Sequence, residues 1–346
     1  MPMRRIARAG ALLLAAAAAA AGTAACQGQN VAAGPQTVLL HISAPLREPV
    51  WSDAADELVG LTASGPRVEA VTPSLRAGRA RSRLSTPLTD AGRDVAPGMP
   101  DDPVVYVPRP ESGDVAVLHL PSLKQVGTLP AGGDPSYLAT DVGAQTLLAL
   151  SGNGRTVTGV SLHDKTVSTR QRVNAEPDSD IDGPQRERVV EFHVTGAGGI
   201  DHYLDGARRG SIDVPATDAV GDETKVTRLY VAESGTHLLV AVDSGRDGDG
   251  MDQVGQARLD APVLYVDDDA HRIYAVTHDR LVILETRSYG GFDGGKIPVI
   301  ETIDFRNDLP AAVRHATLSG VVSGTDRVFL TFSDAPYVLS VAKPNV

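Results

Sequence analysis

Val104-Val105-Tyr106-Val107, Asp114-Val115-Ala116-Val117-Leu118-His119-Leu120 and Gln125-Val126-Gly127-Thr128-Leu129 are three short runs rich in β-branched and other apolar residues. They read as consecutive strands. Glu111-Ser112-Gly113 and Pro121-Ser122, which separate them, are turn chemistry tight enough to reverse the chain, so the strands run antiparallel. The break Pro130-Ala131-Gly132-Gly133-Asp134-Pro135 leads into Tyr137-Leu138-Ala139-Thr140, and Thr146-Leu147-Leu148-Ala149-Leu150 opens the next cycle. A period of about forty residues per four strands is the spacing of propeller blades.

Related cycles lie on both sides of this unit. Leu58 to Leu61 with Arg67 to Val71 opens the first, and Leu147 to Leu150 with Val157 to Leu162 opens another. Val189 to Val194, Leu238 to Val242, Ile273 to Val276 with Leu281 to Leu284, and Val328 to Phe332 with Tyr337 to Val341 supply the remainder. Almost nowhere do apolar residues recur near 3.6. The fold class is therefore all-β, and the expected architecture is a seven-bladed β-propeller with four-stranded antiparallel blades over residues 37–346. The last cycle lacks an outer strand. Thr37-Val38-Leu39-Leu40-His41-Ile42 has no cycle of its own, and this N-terminal strand is expected to close the ring and remove two exposed sheet edges.

The stretch from Val115-Ala116-Val117-Leu118 through Val126-Gly127-Thr128-Leu129-Pro130-Ala131-Gly132 to Pro135 resembles the YVTN-type (YncE-like) bacterial β-propeller repeat. Ser136 stands where that family usually has His. The resemblance implies a surface or periplasmic seven-bladed propeller. It implies no chemistry, because related propellers include lactonase-like enzymes and plain binding modules.

The N-terminus carries Arg4, Arg5 and Arg8, an apolar run from Ala9 to Ala21, and then Gly22-Thr23-Ala24-Ala25-Cys26. This is the order of a secretory signal peptide. Cys26 is the only cysteine and sits where a lipobox places its acylated residue, although Thr23 occupies the usual Leu position. The reading divides the chain into a lipoprotein signal peptide over residues 1–25, a lipidated cysteine with a flexible tether over 26–36, and the propeller. Palmitate-type acylation of Cys26 would hold the protein on the extracytoplasmic face of the cell membrane. One cysteine forms no internal disulfide, so the exported fold rests on its own core.

The formal net charge is −11, and cleavage before Cys26 would remove three arginines and no acid. Such an acid excess repels nucleic acid and anionic headgroups, so no nucleic-acid partner is expected and the anchor is the lipid. Aromatic residues make up 4% of the chain, too few for stacking platforms. A monomer is expected.

Three features carry candidate chemistry. In Asp243-Ser244-Gly245-Arg246-Asp247-Gly248-Asp249-Gly250-Met251-Asp252, the residues Asp247, Asp249 and Asp252 have the flavour of a calcium (Ca2+) loop, weighed against a solvated acid-Gly turn. Two acid clusters, Glu176 to Asp182 and Asp267 to Asp269, read as turns between strands, the first in an insertion long enough to form a ligand rim. His193 and His202 are the closest histidines sharing a cycle, but no zinc-binding spacing surrounds them. No G-x-S-x-G elbow or phosphate loop occurs.

A channel enzyme would need carboxylate, Asn or His residues on several innermost strands. The strand starts read as Val, Leu and Ala, with the acids left in turns. The expected function is accordingly a membrane-anchored binding or interaction scaffold that meets a protein or envelope polymer through its blade loops. A lactonase-like enzyme and a metal-handling accessory of an ABC transporter are the alternatives.

Overall fold

A computed structural model describes residues 36–74, 79–183, 189–224, 226–244 and 250–344. Their short strands, cut by Gly, Asp and Pro turns, form seven antiparallel four-stranded blades in a ring. The innermost strands are Leu46–Ser52, Ala96–Pro97, Pro135–Asp141, Asp180–Asp182, Ala216–Gly221, Tyr265–Asp268 and Leu318–Ser323. Blade seven is completed from the other end of the chain. Thr37–His41 pairs antiparallel with Tyr337–Ala342, Thr37 opposite Val341 and His41 opposite Tyr337. The N-terminal strand closes the ring, as its lack of a cycle of its own and the missing outer strand predicted.

The blade frame differs from the sequence reading by one strand. Val104–Arg109, Thr146–Ser151, Arg272–Val276 and Arg327–Phe332, the apolar runs that open the cycles, are second strands. Tyr137-Leu138-Ala139-Thr140 is not the outer strand of blade two but lies within the innermost strand of blade three. Second strands are covered by neighbouring blades on both faces, so they are continuously apolar. Innermost strands border the channel, and Ala96–Pro97, Asp180–Asp182 and Tyr265–Asp268 are short, so their residues read as turns.

The core is divided into seven apolar clusters, one at each junction between neighbouring blades. The junction of blades one and two, for example, buries Val59, Leu61 and Val68 against Val105, Val107 and Leu118. Burying each such side chain stabilises the ring by about 1.5–3 kcal/mol.

Candidate functional site

Because the seven inner strands run in one direction around the axis, residues at their starts line one mouth of the channel and residues just past their ends line the other. Acids gather at both. Glu48, Asp94, Asp180 and Asp218 belong to the first mouth, from blades one, two, four and five. Asp53, Glu223, Asp267 and Asp269 line a cavity of about 410 Å³ at the second, where Lys343 also sits. The expectation that the acids lie in turns away from the inner strands is thus corrected. Asp180 and Asp182 from the first acid cluster, and Asp267 and Asp268 from the second, are inner-strand residues.

Several of these carboxylates also hold the ring together. Asp94 Oδ2 accepts the Leu138 N–H at 2.6 Å, Asp182 Oδ1 accepts that of Gly221 at 3.1 Å, Asp218 Oδ2 that of Val266 at 2.7 Å, and Asp267 Oδ2 that of Ser323 at 2.5 Å. Each bond passes from one inner strand, or the residues leading into it, to the next, satisfying an amide that has no strand partner on the channel side. Glu48 and Glu223 are exposed to the channel.

Burial first, and for most of them the crowding of like charge after it, raises the carboxyls. Burial and then the Asp180 charge push Glu48 up to about 7. Burial, opposed by the Val266 N–H and added to by Asp180 and Glu48, pushes Asp218 to about 8. Asp94 lies well above the usual carboxylate range for the same reasons. Asp180 is carried to about 6 by burial and Asp182. At the second mouth burial takes Glu223 to about 8, with Asp267, Asp53 and Asp269 adding to it, and Asp267 to about 6. Glu48, Asp180 and Glu223 meet water, but that water is enclosed by protein, so their charged forms are less well solvated than on the outer surface. Such an arrangement holds protons near neutral pH.

His193 and His202, separated by eight residues, lie opposite each other on adjacent strands of blade four and stack with ring centroids 4.9 Å apart. His202 Nε2 is 2.7 Å from Glu191 Oε1, His193 Nε2 is 2.9 Å from Ser244 Oγ of blade five, and His193 Nδ1 lies 3.8 Å from Asp182 Oδ2. Both rings are about 1–2% exposed, so this row packs the junction of blades four and five. Among the described residues no three His, Cys, Asp or Glu side chains form a group able to hold a metal ion.

Cys26, Asp247 and Asp249 lie outside the described residues. Asp252 is exposed on the strand Met251–Arg258, paired in register with Asp243, and Asp243 accepts two bonds from the Arg228 guanidinium. Sequence reasoning missed Glu48, Asp94 and Asp218, and it read the clusters that hold Asp180 and Asp267 as turns between strands. The signal for them was an Asp just ahead of an apolar second strand, as at Asp94, Asp180, Asp218 and Asp267, recurring at roughly the blade period or twice it.

No protein-family model matches the chain, and no curated protein matches it. Among solved structures, that of U3-55K superposes with a TM-score of 0.64 at 10% identity, covering 88% of this chain and 98% of that one. The likeness establishes the β-propeller fold and nothing finer. With 1433 solved chains matching, the architecture is too widely shared to indicate a ligand.

Proposed function

We propose that this protein is a propeller scaffold held by lipid on Cys26 at the extracytoplasmic face of the cell membrane, and that it binds a positively charged ligand at its channel. The observation that carries the ligand class is the convergence of Glu48, Asp94, Asp180, Asp218 and Asp267 from five blades onto one axis. An acid-walled channel focuses negative potential and concentrates cations. The N-terminal order ending in Ala24-Ala25-Cys26 supports the anchor, and the Val115 to Pro135 blade supports a YVTN-type lineage. Among the described residues no helix is long and apolar enough to cross a membrane.

Cys26→Ser is expected to release the protein to the medium or leave the precursor uncleaved; a variant still acylated and membrane-bound refutes the anchor. Cationic peptides and amines are expected to bind full-length protein with an affinity that falls with salt, measured by calorimetry. Failure of every cation to bind refutes the ligand class. The same convergence favours a second reading, an exported hydrolase with a channel carboxylate as general base, poised near neutral. Turnover of a lactone panel that disappears in Glu48→Gln is its measurement.

A further inference from the structure

At the face where the inner strands begin, a cavity of about 410 Å³ lies between blades five, six and seven, bordered by Arg306, His278, His315 and Thr217. Arg306 follows the outer strand of blade six, Val299–Asp304, on the way to the short helix Ala311–Arg314, and it is 5% exposed. Its Nε donates to the His278 carbonyl at 2.7 Å, and its Nη1 donates to the carbonyls of Arg314 at 3.2 Å and Val313 at 3.5 Å. Nη2 bonds to no described residue and is not sealed from solvent. The guanidinium thus brings uncommitted N–H donors to the cavity wall.

The charge on that guanidinium has no counter-ion. No described Asp or Glu forms an ion pair with it, and Asp279 and Asp334 act on it only at longer range. Asp334 is itself occupied by the Thr317 N–H and hydroxyl at 2.8 and 3.0 Å. The Phe305 and Phe332 rings, with centroids 5.4 and 5.5 Å away, offset part of the cost. Burial still holds the guanidinium below its ordinary value, the mark of a cation poorly solvated where it stands. Arg228 is as deeply buried, at 2% exposed, but Asp243 neutralises it by accepting two bonds at 2.6 and 3.1 Å. A buried charge without a partner costs free energy that a bound anion would offset.

We infer that this cavity binds a small organic carboxylate with an apolar body, its carboxylate taken by Arg306 Nη2 and the imidazoles of His278 and His315, its carbon skeleton lying against Leu264 and Leu318. Among the described lining residues Arg306 is the only lysine or arginine, and no Asp or Glu borders the space. One fixed positive charge suits a monoanion and leaves a phosphate dianion undercompensated. A neutral imidazole still presents one N–H donor. Leu264, Ala316 and Leu318 supply the apolar wall that an inorganic anion would not use. Asp218, next to Thr217 in the inner strand of blade five, keeps its proton up to about 8 and so is mostly uncharged at pH 7. Nothing here depends on cation binding by the channel.

The test is calorimetry of full-length protein in detergent at pH 7, with benzoate as probe and benzamide as its uncharged counterpart. Benzoate is expected to bind, and benzamide to bind roughly tenfold more weakly or not at all. Arg306→Gln is expected to weaken benzoate binding roughly tenfold or more. Because Arg306 also ties the helix end to the His278 turn, Thr217→Glu, at an exposed position on the cavity wall, is the second variant. It leaves Arg306 in place, sets a carboxylate in the cavity, and is expected to weaken binding by a similar factor. Arg208→Gln in blade four, where Arg208 pairs with Asp201, is the control and leaves binding unchanged. Benzoate that binds equally well to wild type, Arg306→Gln and Thr217→Glu overturns the site, and so does benzamide that binds as tightly as benzoate. Inorganic phosphate that displaces benzoate at equal concentration overturns the carboxylate class. Absence of binding by both benzoate and hexanoate overturns the proposal outright.

Discussion

The junction of blades six and seven and that of blades four and five do the same job with different materials. Among the described residues the first buries sixteen apolar residues, including Phe305, Phe332, Leu330 and Val313, the last from the short helix Ala311–Arg314. The second buries seven, of which Ile200 alone comes from the strands of blade four. The space is taken by Asp182, His193 and His202, facing Ser244 and Gly221 of blade five. An apolar junction gains from burial without regard to direction. A polar junction gains little net free energy, but removing one member leaves its buried partner unsatisfied, so it favours one arrangement and penalises that loss.

The comparison can be broken by substitution. Phe332→Ala, at a fully buried position, is expected to cost about 3–5 kcal/mol in urea unfolding. Leu40→Ala in the closing strand is expected to cost about 2–5 kcal/mol, because Leu40 is fully buried at the seam where the two ends of the chain meet. Ser244→Ala leaves His193 Nε2 without its partner and is expected to cost about 1–3 kcal/mol. Replacing His193 and Ser244 together by apolar residues of similar size is expected to come within about 1 kcal/mol of wild type. A double variant as damaged as Phe332→Ala would show the polar row to be as stabilising as the apolar junction.

The channel acids sharpen the contrast through pH. An unfolded chain loses these protons near the ordinary carboxylate pKa of about 4, whereas the folded protein holds them to about 6 at Asp267 and about 8 at Asp218 and Glu223. Folding takes up protons in that interval, so stability present at pH 4 is progressively lost as the pH rises to 8. Denaturation midpoints across that range are expected to fall. Glu223→Gln should flatten the profile, while Phe332→Ala and Ser244→Ala should lower it without changing its slope. Smallest of all, Asp252→Asn at the exposed edge is expected to change stability by less than about 0.5 kcal/mol, and a melting temperature unmoved by calcium would remove the calcium-loop reading of Asp247, Asp249 and Asp252.

What could be read beforehand follows burial. The second strand of each blade is covered on both faces, so its apolar run survives as a local signal, and the Val104 to Leu129 unit revealed period, turns and strand polarity. The orphan strand at Thr37 could be paired with the truncated last blade because a ring leaves one place to fill. Most innermost strands had no such signal. Asp180–Asp182 and Ala96–Pro97 are too short and polar to stand out from turns, and the one-strand shift in the blade frame followed from that. His193 and His202 were noticed as neighbours, but their stacking and their bonds to Glu191 and Ser244 depend on register and on blade five.

The sequence by itself determined the all-β class, the blade count, the closing strand, and the segment order that ends at Cys26. These are properties of neighbours along the chain, where alternation, turn residues and local composition act over a few positions. Tertiary structure alone decided that Glu48, Asp94, Asp180 and Asp218 meet at one mouth of the channel and Asp53, Glu223 and Asp267 at the other. Residues far apart in the chain come together only when the ring closes, and electrostatic repulsion depends on distance through space.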